Sequence, residues 1–84
     1  MTRQLELGAG DRRATVRARI RAATREAITA EARLDLVMLA REDLLAAAVE
    51  YGDRAIQPDA EPSPDELQEA AVAFARASRL PVRS

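Results

Sequence analysis

Carboxylates are the main side chains in this sequence that could do chemistry. Glu31 and Asp35 are four residues apart, and Asp65, Glu66 and Glu69 form a second cluster. Paired carboxylates can act as general acid and base or bind Mg²⁺. The sequence has no histidine and no cysteine, however, and acids near a helix N-terminus are already explained by the helix dipole. We therefore predict a non-enzymatic protein with no catalytic residue, cofactor or metal site.

Arginines form the second pattern, because four of them follow one another at intervals of four residues. These are Arg13, Arg17, Arg21 and Arg25. No acid lies three or four residues from any of them, so a helix here would present a basic ridge without local compensation. Charge is also divided along the chain. Residues 1–33 carry eight arginines and four acids (net +4), whereas residues 34–84 carry five arginines and ten acids (net −5).

The arginine ridge is predicted to contact phosphates or an acidic partner, unless it is simply solvated. Antiparallel pairing with a second copy would bring acids of the other half alongside it, namely Asp35, Glu42, Asp43 and Glu50. Nucleic-acid phosphates would make the binding sensitive to salt. No aromatic residue is interleaved with the arginines to stack on bases, which disfavours nucleic acid. A foreign acidic protein is the third alternative.

An apolar seam runs from Val16 to Ala55 with alternating spacings of four and three residues, and Arg41 is the only charged residue in this series. This spacing is typical of a coiled-coil helix. It predicts a protein interface formed by Leu34, Val37, Met38, Arg41, Leu44, Leu45, Ala48 and Tyr51. Arg41 either sets the register of helix pairing or packs its stem while its charged head reaches water. The alternative interpretation is an ordinary amphipathic helix in a three-helix monomer.

A long helix over about residues 12–56 is expected to position the ridge and the seam. Residues 1–10 precede it as an extended arm or a short strand, and Asp11 is placed to cap its start. It ends either at Gly52 in a left-handed cap or just before Pro58. A single helix is favoured over one that is kinked or split near Ile28–Thr29, because no glycine, proline or capping box is found there.

A second, shorter helix is predicted over about residues 64–79, after a loop at 57–63. Ser63 is suited to the N-cap and Pro64 to the first helical position, and Glu66 can close a capping box. A helix of about 45 residues would span nearly 70 Å, so the shorter helix can cover only part of it. The sequence therefore predicts one all-α domain over 1–84, in which an antiparallel helical hairpin assembles into a dimeric or larger bundle.

The predicted function is a small protein–protein interaction module, such as an adaptor, an inhibitor or an assembly factor, that binds itself or another protein. The alternative is a nucleic-acid-binding regulator such as an antitoxin, which would use the arginine ridge. A ribbon-helix-helix regulator is disfavoured because no turn signal lies between Asp11 and Gly52. With no apolar run of membrane-spanning length, a cytoplasmic bacterial or phage protein is expected, without membrane contact.

Overall fold

Three α-helices make up the described part of the chain. The computed structural model describes residues 9–83, with α1 at Ala9–Ala23, α2 at Ala30–Ala55 and α3 at Asp65–Ser78. No strand forms within this range, and a single isolated parallel bridge joins Ile28 to Val82. None of these three helices is long and apolar enough to cross a membrane. The all-α class is thus confirmed for residues 9–83.

The prediction of one long helix over about 12–56 is wrong, because the chain leaves the helical conformation between residues 24 and 29. The Thr24 hydroxyl donates to the Arg21 carbonyl oxygen at 2.6 Å, within the turn that ends α1. Thr29 caps α2 by accepting a hydrogen bond from the backbone N–H of Ala32 at 3.1 Å. Threonine side chains compete for backbone groups in this way, so the two threonines supply local ends without glycine or proline.

Burial explains why the break is favoured over a continuous helix. Ile20 and Ala23 of α1 and Leu36 and Ala40 of α2 belong to the same buried cluster. In one straight helix Ile20 and Ala40 would be about 30 Å apart. The break lets α1 fold back along α2, so that both apolar stripes are buried within one chain.

The other predicted helix ends are shifted by small amounts. Helix α1 begins at Ala9, so Asp11 is not its N-cap and the predicted arm cannot extend to residue 10. The strand or arm predicted over 2–7 lies outside the described residues. Helix α2 runs through Gly52 to Ala55, which excludes a left-handed cap at Gly52.

The start of α3 follows the predicted capping pattern in part. The helix begins at Asp65, one residue later than predicted, and the Ser63 hydroxyl accepts a hydrogen bond from the Asp65 N–H at 3.3 Å. The predicted capping box does not form, since the Glu66 carboxylate is turned towards α1.

The apolar core lies at the end of the molecule where α1 finishes, α2 starts and α3 finishes. It contains Ile20, Ala23, Leu36, Ala40, Ala73, Ala77 and Leu80. At this end the segment after α3 is hydrogen-bonded to the connection between α1 and α2. The Ile28 N–H donates to the Pro81 carbonyl at 3.2 Å, and the Arg83 N–H donates to the Ile28 carbonyl. Arg33 adds a hydrogen bond from its Nη1 to the Leu80 carbonyl at 3.3 Å. Helix α3 shares its largest helix–helix interface with α2.

Candidate functional site

A buried carboxylate between two arginines joins the three helices beyond the apolar core. Asp43 of α2 has a side chain only 3% exposed. It forms an ion pair with Arg13, whose Nε lies 3.0 Å from Oδ1, and it accepts hydrogen bonds from Nε and Nη2 of Arg17 at 3.1 and 3.3 Å. These cations offset the cost of burying the carboxylate, which would be high if it were unpaired. A position that looks like a solvated charge in the sequence is therefore part of an internal ion pair.

Three more exposed carboxylates form further ion pairs with the two arginines. Glu50 pairs with Arg13 at 3.2 Å, and Glu66 lies 2.8 Å from Arg17 Nη2. Glu69 accepts from Arg17 Nη1 at 3.0 Å. The antiparallel pairing of basic and acidic segments predicted between two copies thus occurs within one chain for Asp43 and Glu50.

The ion-pair cluster holds both arginines charged. A hydrogen bond to Glu50 raises the pKa of Arg13 above its ordinary value. Burial lowers the pKa of Arg17, but the hydrogen bonds and charges of Glu66 and Asp43 outweigh it, so that pKa is also raised. Where the partner carboxylates are ionised, the raised pKa of each arginine means that its charged form stabilises the fold, and raising the pH removes this contribution only in strongly alkaline solution. The cluster therefore joins the helices through charged hydrogen bonds and ion pairs.

The four arginines of the predicted ridge divide into two pairs. Arg13 and Arg17 are half-buried in the ion-pair cluster, whereas Arg21 and Arg25 are exposed. Arg13 and Arg17 are thus neutralised by carboxylates of the same chain, an arrangement that differs from the predicted pairing with a second copy, and Arg21 and Arg25 are solvated. Of the four arginines of the ridge, only Arg21 and Arg25 are fully available to phosphates or to an acidic partner.

An exposed apolar stripe runs along the outer side of α2. Its members are Leu34, Met38, Leu45, Val49 and Ile56, with exposed fractions from 53% to 81%. We call this stripe the outer face. Leu34, Leu45 and Ile56 are spaced by eleven residues, as are Met38 and Val49, and eleven residues are close to three helical turns. The five side chains therefore form one line along the length of the helix.

Charges on the two sides of the outer face differ. A helical wheel places exposed acids along one side: Glu31, Asp35, Glu42 and Asp53. None of these four carboxylates has an ion pair or a side-chain hydrogen bond to another described residue. The other side carries Ala30, Arg41 and Ala48, all exposed. An apolar line with one acidic edge is thus left open along α2.

The residues of the predicted interface lie on two sides of α2. Five are exposed, namely Leu34, Met38, Arg41, Leu45 and Ala48, and three are half-buried, namely Val37, Leu44 and Tyr51. Val37 packs against the core. The exposed position of Arg41 matches the interpretation in which its charged head reaches water.

The inward side of α2 was not predicted from the sequence because three of its four buried side chains are small or charged. The buried residues are Leu36, Ala40, Asp43 and Ala47. Their spacing of four, three and four is the same as that of the predicted seam, whereas the larger residues of that seam point elsewhere. Asp43 could be found only from its partners, since Arg17 and Asp43 are 26 residues apart.

Comparisons with known proteins add no family to this description. No family model, curated protein or solved structure matches this chain. Function is therefore argued from the surface itself.

Proposed function

We propose that this chain is a non-enzymatic interaction module whose outer face on α2 binds a helix of another protein. The observation that carries the proposal is the line of five exposed apolar side chains from Leu34 to Ile56, the residue that follows α2, on an otherwise solvated side of the helix. Isolated apolar residues are common on protein surfaces, but a contiguous stripe marks an interaction site. An adaptor, an inhibitor and an assembly factor all fit this description.

The outer face has the length and spacing that a helical partner requires. From Leu34 to Ile56 it advances by 22 residues, which at about 1.5 Å per residue is roughly 33 Å. More than half of each of the five residues of the outer face is exposed. Covering that surface would contribute a binding free energy on the order of 1 kcal/mol per residue, before the cost of association is subtracted. A partner helix with apolar residues at matching intervals would seat along this line.

The acidic edge favours another protein over a second copy. In an antiparallel pair of identical helices each edge meets its own counterpart, so Glu42 and its neighbours would face acids. In a parallel pair the acidic edge of one helix would face the opposite edge of its partner, on which Arg41 is the one exposed cation. Like charges across an interface are unfavourable. The complementary partner is a helix with an apolar stripe and lysines or arginines along one edge.

A variant of the outer face tests this proposal. We expect Leu45→Asp to abolish partner binding while leaving the fold intact, because Leu45 is 54% exposed. Ala71→Asp, at an exposed position of α3, adds the same charge away from the outer face and is the matched control. The measurement is covalent capture in source lysate by a photo-crosslinking amino acid at Met38, followed by mapping of the captured peptide.

The proposal is supported if the captured segment is an amphipathic helix with a basic edge, and if only Leu45→Asp removes it. Light scattering of the purified protein addresses the second copy as occupant. A dimer that dissociates in Leu45→Asp but persists in Ala71→Asp would show self-association through the outer face and would overturn the choice of partner. Capture unaffected by Leu45→Asp would overturn the outer face as the site.

A further inference from the structure

We propose that a second surface, at the end of the molecule that holds the apolar core, binds the phosphate backbone of nucleic acid. Its exposed arginines lie in α1, in α3 and in the segments that follow these two helices, and none of them belongs to the outer face of α2. We call it the basic end and define it as residues 18–37 and 70–83.

The fold gathers arginines from separate segments at the basic end. It contains seven arginines and three acids, a net charge of +4, whereas residues 9–17 and 38–69 contain five arginines and ten acids, a net charge of −5. The hydrogen bonds of Ile28 with Pro81 and Arg83 hold two of these segments together. Six of the seven arginines are exposed, namely Arg19, Arg21, Arg25, Arg76, Arg79 and Arg83. The chain thus has a strong charge asymmetry that its net charge of −1 conceals.

Three of the exposed arginines line two adjoining depressions, one of which is a groove between α1 and α3. Arg21 and Arg76 line a groove of about 440 Å³, and Arg76 and Arg79 line a second depression that shares Val72 with the first. The carboxylate in the groove, Glu69, is paired with Arg17. The three acids of the basic end do not line either depression, so the rim of the groove is positive.

Helix dipoles account for only part of this concentration of arginines. Arg21 and Arg76 lie in the last turns of α1 and α3, where a cation offsets the partial negative charge of the helix end. Arg79 is the C-cap residue of α3 and donates a hydrogen bond from Nη1 to the Ala75 carbonyl oxygen at 3.1 Å, so the helix end accounts for part of its role as well. Arg25 and Arg83 lie beyond the helix ends. Since guanidinium groups match phosphate oxygens in charge and geometry, and Arg79 keeps further N–H donors, we assign these three arginines to an anionic ligand together with Arg21 and Arg76.

The groove favours a phosphate backbone over an acidic helix. An amphipathic helix would need an apolar line to pack against, but the large apolar side chain exposed in the groove is Val72 alone. A phosphate backbone needs only positive charges spread over a surface. No tyrosine, phenylalanine or tryptophan lies in either depression, so stacking on bases is not provided. The expected binding is thus insensitive to sequence.

The test is fluorescence anisotropy with a labelled random-sequence DNA duplex of about one to two helical turns. We compare the triple variant Arg21→Gln, Arg76→Gln, Arg79→Gln with the triple variant Arg12→Gln, Arg41→Gln, Arg54→Gln. All six positions are exposed, and both variants change the net charge by the same amount. Circular dichroism and urea unfolding establish that both variants are folded.

We expect the groove variant to bind DNA at least about 30-fold more weakly than the wild type and the control less than about threefold more weakly. The slope of log affinity against log salt should fall in magnitude by about 0.9 for each phosphate that the variant no longer neutralises. Absence of binding at low salt, or equal effects of the two triples, would overturn the proposal. Tighter binding of the wild type to a polyglutamate probe than to DNA would also overturn it, in favour of an acidic protein.

Discussion

At the scale of single residues, Asp43 is the buried charged residue of the described chain, and it joins α2 to α1. It is a charged side chain at a core position, and it is tolerated because Arg13 and Arg17 both reach it. The same two arginines also bind exposed glutamates from α2 and α3. Removal of the buried carboxylate therefore leaves two half-buried cations with weaker, more solvated partners.

We expect Asp43→Asn to destabilise the protein by about 2 kcal/mol, because the amide keeps the shape but not the charge. The exposed Asp35→Asn makes the same chemical change on the outer side of α2 and should alter stability by less than about 0.5 kcal/mol. Urea unfolding followed by circular dichroism measures both. Equal effects of the two substitutions would show that the ion-pair cluster contributes little.

At the scale of helices, the connection between α1 and α2 is maintained by threonine. Thr29 has an extended backbone conformation and caps α2 with its hydroxyl. We expect Thr29→Ala to cost about 1 kcal/mol, because the Ala32 N–H is left without its acceptor, and Thr29→Ser to restore most of this stability. The measurement is thermal or urea unfolding of the three proteins. A serine variant as unstable as the alanine variant would indicate that packing of the threonine methyl group, and not capping, is responsible.

Local signals in the sequence predicted some of these helix ends but not others. The Ser63–Pro64 start of α3 was predicted within one residue because serine and proline carry a strong local preference there. The break at 24–29 could not be predicted, since alanine-rich flanks favour a continuous helix and the break is stabilised by burial of Ile20 and Leu36 in a common core. Acids beside the ridge were one of several alternatives and were expected from a second copy, whereas the break brings Asp43 and Glu50 of the same chain to Arg13 and Arg17.

At the scale of the whole molecule, the described fold has two differently stabilised ends. An apolar core holds one end and the ion-pair cluster joins the helices beyond it. Helix α3 and the residues after it contribute to both, through Ala73, Ala77 and Leu80 on one side and Glu66 on the other. Helices α1 and α2 alone would leave their shared apolar surface open.

We therefore expect a chain that ends at residue 63 to unfold without a cooperative transition, because α1 and α2 cannot bury Ile20 and Leu36 without α3. Insertion of two glycines in the 57–62 loop is the control. It lengthens a connection that packs little and should cost less than about 1 kcal/mol. Differential scanning calorimetry of the full chain and the two variants distinguishes these outcomes. A sharp transition in the shortened chain would show that α1 and α2 form an independent unit.

The backbone pairing of Ile28 with residues 81–83, which we call the clasp, has a consequence for the order in which the fold can form during synthesis. The contact joins positions 54 residues apart, and it includes nearly the last residues of the described chain. Helices α1 and α2 emerge from the ribosome before α3, at a stage when α3 and Leu80 cannot yet cover their apolar surfaces. Because Leu80 and residues 81–83 are synthesised after all three helices, the native arrangement can be completed only once this segment has also emerged. Until then the nascent helices expose to the cell the same apolar residues that the finished protein buries.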